Sequence, residues 1–249
     1  MNKEKSINSA RERFDHELHT GEYKMVHENS DHLNLLLKLC NIEENEKILD
    51  LGTGNGYVAF ELAKKYPNIS IVGLDITESS INRNNKIVES DNLKNIKFYS
   101  YDGMNLPFED NSFTKVVSRY AFHHFPELVK MIKSLHKKLA NQGQIILSDV
   151  LTYDSDTSHF IDSFQALKKD GHIHFYHLDE INMLLTTNGF TMSDIFFNEI
   201  SFSRELTEEY KCLLEHISEE IKKEYKIQIH DNKVFITVTG YSIKAIKNE

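Results

Sequence analysis

Short apolar runs alternate with amphipathic segments through the first 150 residues of the chain. An apolar run of strand length that is bounded by turn residues predicts a buried strand. Five such strands are predicted, at Lys47–Leu51, Ile69–Leu74, Ile96–Ser100, Phe113–Ser118 and Gln144–Val150. Segments with helical spacing lie between them, at Tyr57–Tyr66, Glu78–Ser90 and Glu127–Leu139. This alternation predicts an α/β fold with a parallel sheet covered by helices on both faces.

The pattern differs on either side of this region. Two helices are predicted before it, over residues 3–19 and through Leu33–Leu39. After Val150, residues 151–177 are polar and aromatic, with one helix near residues 158–169, and form an insertion. A helix over Leu178–Asn188, a strand over Thr191–Ser203, a helix over residues 205–223 and a strand over Lys233–Lys244 complete the chain. Because no Pro/Gly linker interrupts it, we expect a single domain over residues 1–249.

Composition and charge limit the classes of function that the chain can have. The chain has 249 residues, 40% of them apolar and 27% charged, which is ordinary for a globular protein. No secretory signal or membrane span is evident, so we expect a cytoplasmic protein without a membrane partner. The net charge of −9 argues against a nucleic-acid partner, since a phosphate backbone is usually bound by a basic surface. Cys40 and Cys212 are expected to be buried, reduced thiols.

The stretch Ile48–Gly56, with the sequence ILDLGTGNG, is the most informative motif. It predicts a strand, a glycine turn and a helix, which is where nucleotide-like ligands approach a backbone closely. The spacing differs from the G-x-G-x-x-G of dinucleotide-binding folds. The carboxylate of Asp50 would repel a pyrophosphate and would suit a ligand that carries an ammonium group. A purely structural turn, or another nucleotide-binding fold, remains an alternative.

Acidic residues also end the next two strands. Asp75 could accept hydrogen bonds from a ribose diol, because Thr77 is available to cap the following helix, and Ile76 would lie beside the base. Asp102 could accept from an adenine amino group, or it could be a turn aspartate that bonds its own backbone. The carboxyl ends of parallel strands meet at one edge, so these residues are expected to converge with the stretch Arg119–His124.

Four pieces of sequence together resemble the class I S-adenosylmethionine-dependent methyltransferases. They are ILDLGTGNG, GLDIT, YDGMNLPFEDNSF and RYAFHHF, within residues 28–150, and an Asn-Gly-Phe turn precedes the sixth strand. They are most similar to the ubiquinone/menaquinone-methyltransferase-like branch, in its generic bacterial small-molecule form. One departure is Thr114, where aspartate is common. The resemblance implies a Rossmann-like three-layer sandwich with a seven-stranded, mostly parallel sheet and an antiparallel last strand.

The resemblance also implies a reaction. A methyl group would pass from S-adenosylmethionine to a small-molecule acceptor by in-line displacement, giving S-adenosylhomocysteine. The alternatives are an RNA or protein acceptor, and a non-catalytic protein that only binds the cofactor. A homodimer is an option for the assembly. Within the domain, residues 1–40 would form a helical lid, residues 41–150 the cofactor-binding core, residues 151–177 a cap and residues 178–249 the last part of the sheet.

The expected site residues fall into three groups. The candidate general bases are His123 and His124, which leave the fourth strand. Substrate contacts are expected from Tyr23 in the lid and from His172, His174 and His177 in the cap. The H-x-H-x-x-H spacing of the last three could suit a metal, but no carboxylate or cysteine pattern accompanies it, so no metal is expected. The expected cofactor-binding residues are Asp50, Gly52, Thr53, Gly54, Asn55, Gly56, Asp75, Ile76, Asp102, Gly103, Met104, Arg119, Tyr120 and His124.

Overall fold

The computed structural model of the protein describes residues 3–20 and 30–249. The strands are β1 Lys47–Leu51, β2 Ser70–Asp75, β3 Ile96–Ser100, β4 Phe113–Arg119, β5 Leu139–Val150, β6 Phe190–Glu205, β7 Gln228–His230 and β8 Lys233–Lys247. The helices are α1 Lys3–Thr20, α2 Ser30–Cys40, α3 Tyr57–Lys65, α4 Glu78–Ser90, α5 Leu128–Lys138, α6 Phe160–Ala166, α7 Leu178–Thr186, α8 Glu208–Glu215 and α9 Glu219–Glu224. A 3-10 turn covers Phe122–His124.

The strands form one sheet in the order β3-β2-β1-β4-β5-β8-β6. Strands β1 to β5 are parallel, and β8 runs antiparallel between β5 and β6. The predicted mostly parallel sheet with an antiparallel last strand is therefore confirmed, and the short strand β7 pairs with β8 as an eighth strand beside the seven predicted. From β1, the strands β2 and β3 are added on one side, whereas β4 and β5 are added on the other. The crevice beyond the carboxyl ends of β1 and β4 is therefore where a ligand is expected.

Two apolar layers cover the sheet. Helices α2, α3 and α4 pack on one face through a cluster that includes Leu36, Leu62 and Ile81. On the other face, α5 and α7 bury residues such as Ile132 and Leu185 against β4, β5 and β8. A third cluster joins α6, α8 and α9 to β6 and β8 at one end of the sheet. The predicted three-layer arrangement follows from these faces, because each amphipathic helix buries one stripe.

The details differ from the sequence prediction in three places. The single helix predicted over residues 205–223 is two helices, since Ser218 accepts a hydrogen bond from the Ile221 N–H and starts α9. The three-residue strand β7 was not predicted, because its exposed residues carry no apolar pattern. Cys40 is buried, and burial raises the pKa of its thiol to about 12, but the prediction for Cys212 was wrong because it is exposed.

Within the described ranges, the helices are either too short or too polar to cross a lipid bilayer.

Gly73 in β2 lies where the sheet and the first turn are closest. A Cβ atom at this position would come within 2.3 Å of the Phe98 ring and 2.9 Å of the Thr53 hydroxyl oxygen. We expect Gly73→Ala to lower the free energy of unfolding by about 1–3 kcal/mol, the usual cost of overpacking. Urea denaturation measures this free energy of unfolding. The control is Ser70→Ala, at an exposed position of the same strand. An unchanged midpoint for Gly73→Ala would contradict this expectation, because it would show that the Phe98 ring and the Thr53 hydroxyl make room for the methyl group without cost.

Candidate active site

The glycine turn after β1 requires three left-handed residues. Gly52, Gly54 and Gly56 have φ angles of 74°, 49° and 80°. A side chain is strained at such angles, which explains why glycine occupies every second position. The N–H groups of Gly52 and Thr53 both donate to the Leu74 carbonyl, so the turn is joined to the end of β2.

The Asp75 carboxylate fixes this turn from the neighbouring strand. One oxygen accepts from the Gly54 N–H at 2.8 Å, and the other accepts from the Thr77 N–H at 2.9 Å. The predicted capping hydrogen bond from the Thr77 side chain is absent, although Thr77 occupies the position before α4. Burial raises the pKa of Asp75, partly offset by these hydrogen bonds. Each carboxylate oxygen keeps a second acceptor site, so a diol could still bind there.

Asp50 lies beneath the turn. Its carboxylate is 2% exposed and accepts a hydrogen bond from the Thr53 hydroxyl at 2.7 Å. Burial raises the pKa of Asp50 to about 6. Asp50 is not one of the described residues that line the adjoining cavity. Its contact with an ammonium group stays a prediction, and in this structure it supports the turn through Thr53.

A cleft of about 1310 Å³, including its open mouth, adjoins the turn. Its first part is lined by Gly52, Gly54, Asp75, Ile76, Thr77, Ser80, Tyr101, Gly103, Arg119, Tyr120 and Ala121. Its second part is lined by His123, His124, Phe125, Pro126, Val150, Gln165, Lys168, Asp170, Phe175, Ile200, Phe202 and Arg204. The cleft therefore extends without interruption from the glycine turn to side chains of the 151–177 insertion and β6.

Helix α1 contributes a wall along both parts of the cleft, through Ile7, Ala10 and Phe14. The Arg11 side chain donates to the Ile76 carbonyl at 3.0 Å, and the Ser6 hydroxyl donates to the Gly171 carbonyl at 2.8 Å. These bonds connect α1 to β2 and to the 151–177 insertion. Tyr23, a predicted substrate contact in the lid, lies outside the described residues.

At the end of β4, the Arg119 guanidinium lies 5.2 Å from the Tyr57 ring and 4.4 Å from the Tyr120 ring. Its Nε donates to His32 Nδ1 at 3.0 Å, and His32 Nε2 lies 2.7 Å from the Ser148 hydroxyl. Because Arg119 can only donate, His32 is neutral with its proton on Nε2. Burial, and then the charge of Arg119, lowers the pKa of His32 to about 4. The contact of Arg119 with a cofactor stays a prediction.

His123 is held by Asp149, which ends β5. The His123 Nδ1 atom lies 2.7 Å from one Asp149 oxygen, and the His123 N–H donates to the other at 3.2 Å. The first oxygen also accepts from the Val150 N–H. A carboxylate in this position accepts from Nδ1–H, so Nε2 carries the lone pair. His123 is 6% exposed and lines the cleft, which suits a group that receives a proton there.

His124 differs from its neighbour. Its Nδ1 is buried and has no hydrogen-bond partner among the described residues. Its ring stacks edge-on to Phe14, with ring centroids 5.2 Å apart. Burial, and then the nearby His123, lowers the pKa of His124 well below its ordinary value. His124 therefore lines the cleft as a neutral ring, and no carboxylate fixes its tautomer.

The three histidines predicted as substrate contacts lie behind the cleft rather than on its described lining. Asp162 of α6 binds two of them, with His172 Nε2 at 2.8 Å and His174 Nδ1 at 2.6 Å. His177 precedes α7 and lies 3.2 Å from Asp154. The sequence analysis found no carboxylate near these histidines, because Asp162 precedes them by ten residues or more and only the fold brings it there. Their contact with a substrate stays a prediction, and in this structure they hold the insertion together.

Five further predicted residues also lie outside the described lining, namely Thr53, Asn55, Gly56, Asp102 and Met104. Asp102 is exposed and accepts hydrogen bonds from the N–H groups of Met104 and Asn105 at 2.8 and 2.7 Å. This is the second of its two predicted roles, a turn aspartate that bonds its own backbone. Burial acts to raise the pKa of Asp102, but these hydrogen bonds outweigh it and lower the pKa. Met104 is exposed, and the Asn55 side chain accepts from the Tyr57 N–H at the start of α3. Their contacts with a cofactor stay predictions.

Several polar residues in the second part of the cleft were not predicted from the sequence. Lys168 forms ion pairs with Glu17 at 3.0 Å and Asp170 at 3.1 Å, and all three are nearly buried. Burial acts to raise the pKa of Asp170, but the paired ammonium group of Lys168 opposes it, and the pKa of Asp170 lies well below its usual range. Arg204 of β6 also lines this part. In the sequence, only the alternation of side chains along β6 bears on the position of Arg204. Alternation alone does not tell which face of the strand meets the cleft.

Comparison with known proteins gives a family match. The model of a methyltransferase domain family matches residues 42–226. An uncharacterized methyltransferase of Bacillus subtilis, YcgJ, is 24% identical over 66% of this chain and 64% of its own. The demethylmenaquinone methyltransferase of Thermotoga maritima is 33% identical over 43% of this chain and 44% of its own. The chain thus spans less than two thirds of the length of these curated relatives.

Among solved structures, the crystal structure of the Bacillus subtilis YcgJ protein is similar to this chain. The TM-score is 0.80 at 22% identity, over 89% of this chain and the whole of the other. At this identity the likeness shows a shared fold. It agrees with the strand order described above.

The neutral His32 predicts a loss of stability in acid. The pKa of His32 is lower in the folded protein, so the unfolded chain binds the extra proton as the pH falls through about 6.5 towards 4. The contribution of neutral His32 is complete above pH 6.5 and is reduced by about 2 kcal/mol at pH 5. His32→Gln keeps a donor for Ser148 and does not titrate, so we expect its stability to fall less between pH 7.5 and 5. Urea denaturation at both pH values measures this, and equal losses in the two proteins would contradict it.

Proposed function

Because the chain belongs to the methyltransferase domain family, we propose that it transfers a methyl group from S-adenosylmethionine to a small-molecule acceptor. The observation that supports this most is the single cleft with two chemically different parts. One part is built from the glycine turn and Asp75, and the other from aromatic rings and an oriented histidine. Such a cleft can hold a donor and an acceptor next to each other, which is the main requirement of a displacement reaction.

The first part of the cleft fits the adenosyl cofactor. Asp75 has acceptor sites left for the two ribose hydroxyls, and it is already oriented by two N–H groups. Ile76 and Gly103 offer an apolar surface for the base, since a Cβ atom at Gly103 would approach Ile76 and Ile7 to 3.2 Å. Gly54 leaves the backbone open to the methionine portion, whereas Ala121 fills the space that a side chain at Gly52 would take. The remaining predicted contacts would add to this set.

The second part of the cleft supplies the proton acceptor. When bound, S-adenosylmethionine provides an electrophilic methyl group, and S-adenosylhomocysteine leaves. If the acceptor atom carries a proton, we assign its removal to His123 Nε2, because Asp149 holds the proton on Nδ1. The Asp149 carboxylate then stabilises the charged imidazole, as carboxylates do beside catalytic histidines in hydrolases. The acceptor keeps the methyl group, and His123 releases its proton to solvent.

A small-molecule acceptor is favoured over RNA or protein by the shape of the site. The second part of the cleft is bounded by α1, the 151–177 insertion and β6, and much of its lining is aromatic. The net charge of −9 also argues against a phosphate backbone as a partner. Steady turnover with a small acceptor would at the same time exclude a protein that only binds the cofactor.

Binding of the cofactor tests the first part of the cleft. We expect Asp75→Asn to weaken S-adenosylhomocysteine binding more than tenfold, because the amide loses charge and one acceptor oxygen. Isothermal titration calorimetry gives the affinity, and circular dichroism shows whether the fold persists. Asp91→Asn, at the exposed end of α4, is the matched control. Wild-type affinity in a folded Asp75→Asn protein would overturn the assignment of Asp75 to the ribose.

Turnover tests the second part. A small-molecule extract incubated with methyl-labelled S-adenosylmethionine identifies an acceptor through its labelled product. With that acceptor, we expect His123→Asn and Asp149→Asn to reduce kcat by about 10²–10⁴, the usual contribution of a general base. Binding of S-adenosylhomocysteine should change little.

The matched control for these variants is His216→Asn, an exposed histidine just after α8. It should retain the wild-type kcat. If His123→Asn also retains it, then His123 is not the proton acceptor. If no labelled product forms with the wild-type protein while the cofactor binds, the chain is a binding protein.

A further inference from the structure

Arg204 lines the cleft, and among the described residues we find no acidic partner for it. It lies on β6, on the same face as Ile200 and Phe202, because side chains two positions apart share a face of a strand. All three residues line the second part of the cleft. The guanidinium carbon lies 4.7 Å from the centre of the Phe202 ring. Arg204 is therefore held at the wall of the cleft by its own strand.

The hydrogen bonds of Arg204 go to neutral groups. One terminal nitrogen donates to the Ser203 carbonyl at 3.0 Å, and the other lies 3.5 Å from the Gln165 side-chain oxygen. The Nε atom is buried and has no partner among the described residues. The Tyr210 side chain is a further neutral partner. A guanidinium has five N–H donors, so part of its capacity is unused.

The nearby carboxylates are already engaged. Asp170 accepts from the Gln165 side chain at 3.4 Å and from the His172 N–H at 3.1 Å, and it pairs with Lys168. Glu17 pairs with the same lysine and with Arg13. Within residues 3–20 and 30–249, no carboxylate forms an ion pair with Arg204. A partly buried cation without a counterion is costly, and an anionic ligand would remove that cost.

We propose that the methyl acceptor carries an oxyanion, a carboxylate or a phosphate, that binds Arg204 and Gln165. This inference rests on the proposed methyltransferase function of the same cleft. The planar fork of arginine binds either group through two parallel hydrogen bonds. The aromatic residues Phe14, Phe175 and Phe202 supply an apolar wall for the body of the same molecule. The acceptor class is thus an acid with an aromatic or apolar body, bound by its acidic group away from the glycine turn.

The experiment compares three probes of similar shape. Benzoate, phenyl phosphate and neutral benzamide are titrated calorimetrically into the full-length protein, with and without saturating S-adenosylhomocysteine. We expect at least one of the two anions to bind at least tenfold more tightly than benzamide. The two anions separately distinguish a carboxylate from a phosphate as the recognised group.

The variants assign the preference to Arg204. Arg204→Met should abolish the preference for the anion, and Arg204→Lys, which keeps the charge but not the fork, should retain part of it. Arg83→Met makes the same substitution at an exposed position of α4 and should leave the preference unchanged. Affinity for S-adenosylhomocysteine should be the same in all four proteins.

The outcomes separate the two claims. If neither anion binds more tightly than benzamide, or if the preference survives in Arg204→Met, the proposal for Arg204 is wrong whatever the cofactor does. If S-adenosylhomocysteine does not bind the wild-type protein, the proposed function fails, while the titrations without it still decide whether Arg204 recognises an oxyanion.

Discussion

The Asp75 carboxylate joins the two backbone segments on which the site depends. It accepts one N–H from the glycine turn after β1 and another at the start of α4. Hydrogen bonds to a charged group contribute about 1.5–3 kcal/mol each. Together with the hydrogen bonds from Gly52 and Thr53 to the Leu74 carbonyl, they fix the left-handed turn at Gly54 relative to β2. Burial opposes the charge of Asp75, so ligand hydroxyls that donate to it would compensate part of that cost.

The two parts of the cleft are built by different means. The first part consists of strand ends and a glycine turn, so its shape follows from the backbone of the parallel sheet. The second part consists of side chains from α1, the 151–177 insertion and β6, which the sheet does not determine. A chain can therefore keep the first part unchanged while the second part varies. This explains why the family can be established from the sequence, whereas the acceptor that we propose would depend on residues of the second part such as Arg204 and His123.

Much of the donor part could be predicted from the sequence, because Asp75 and the glycines lie at strand ends and strand ends converge. The pairing of His123 with Asp149 could not, since the two residues are 26 positions apart and meet through the register of β4 and β5. Asp102 had two interpretations, and local hydrogen bonds decide for the turn in this structure. Asp162 was overlooked because the insertion folds back on α6 without any periodic signal.

A crystal structure of the protein with S-adenosylhomocysteine tests the central claim most directly. The account predicts that the ribose hydroxyls contact Asp75, that the base lies beside Ile76 and Gly103, and that the sulfur faces the part of the cleft that contains His123. A ligand bound elsewhere, or with its sulfur directed away from His123, would contradict the account of one cleft shared by donor and acceptor.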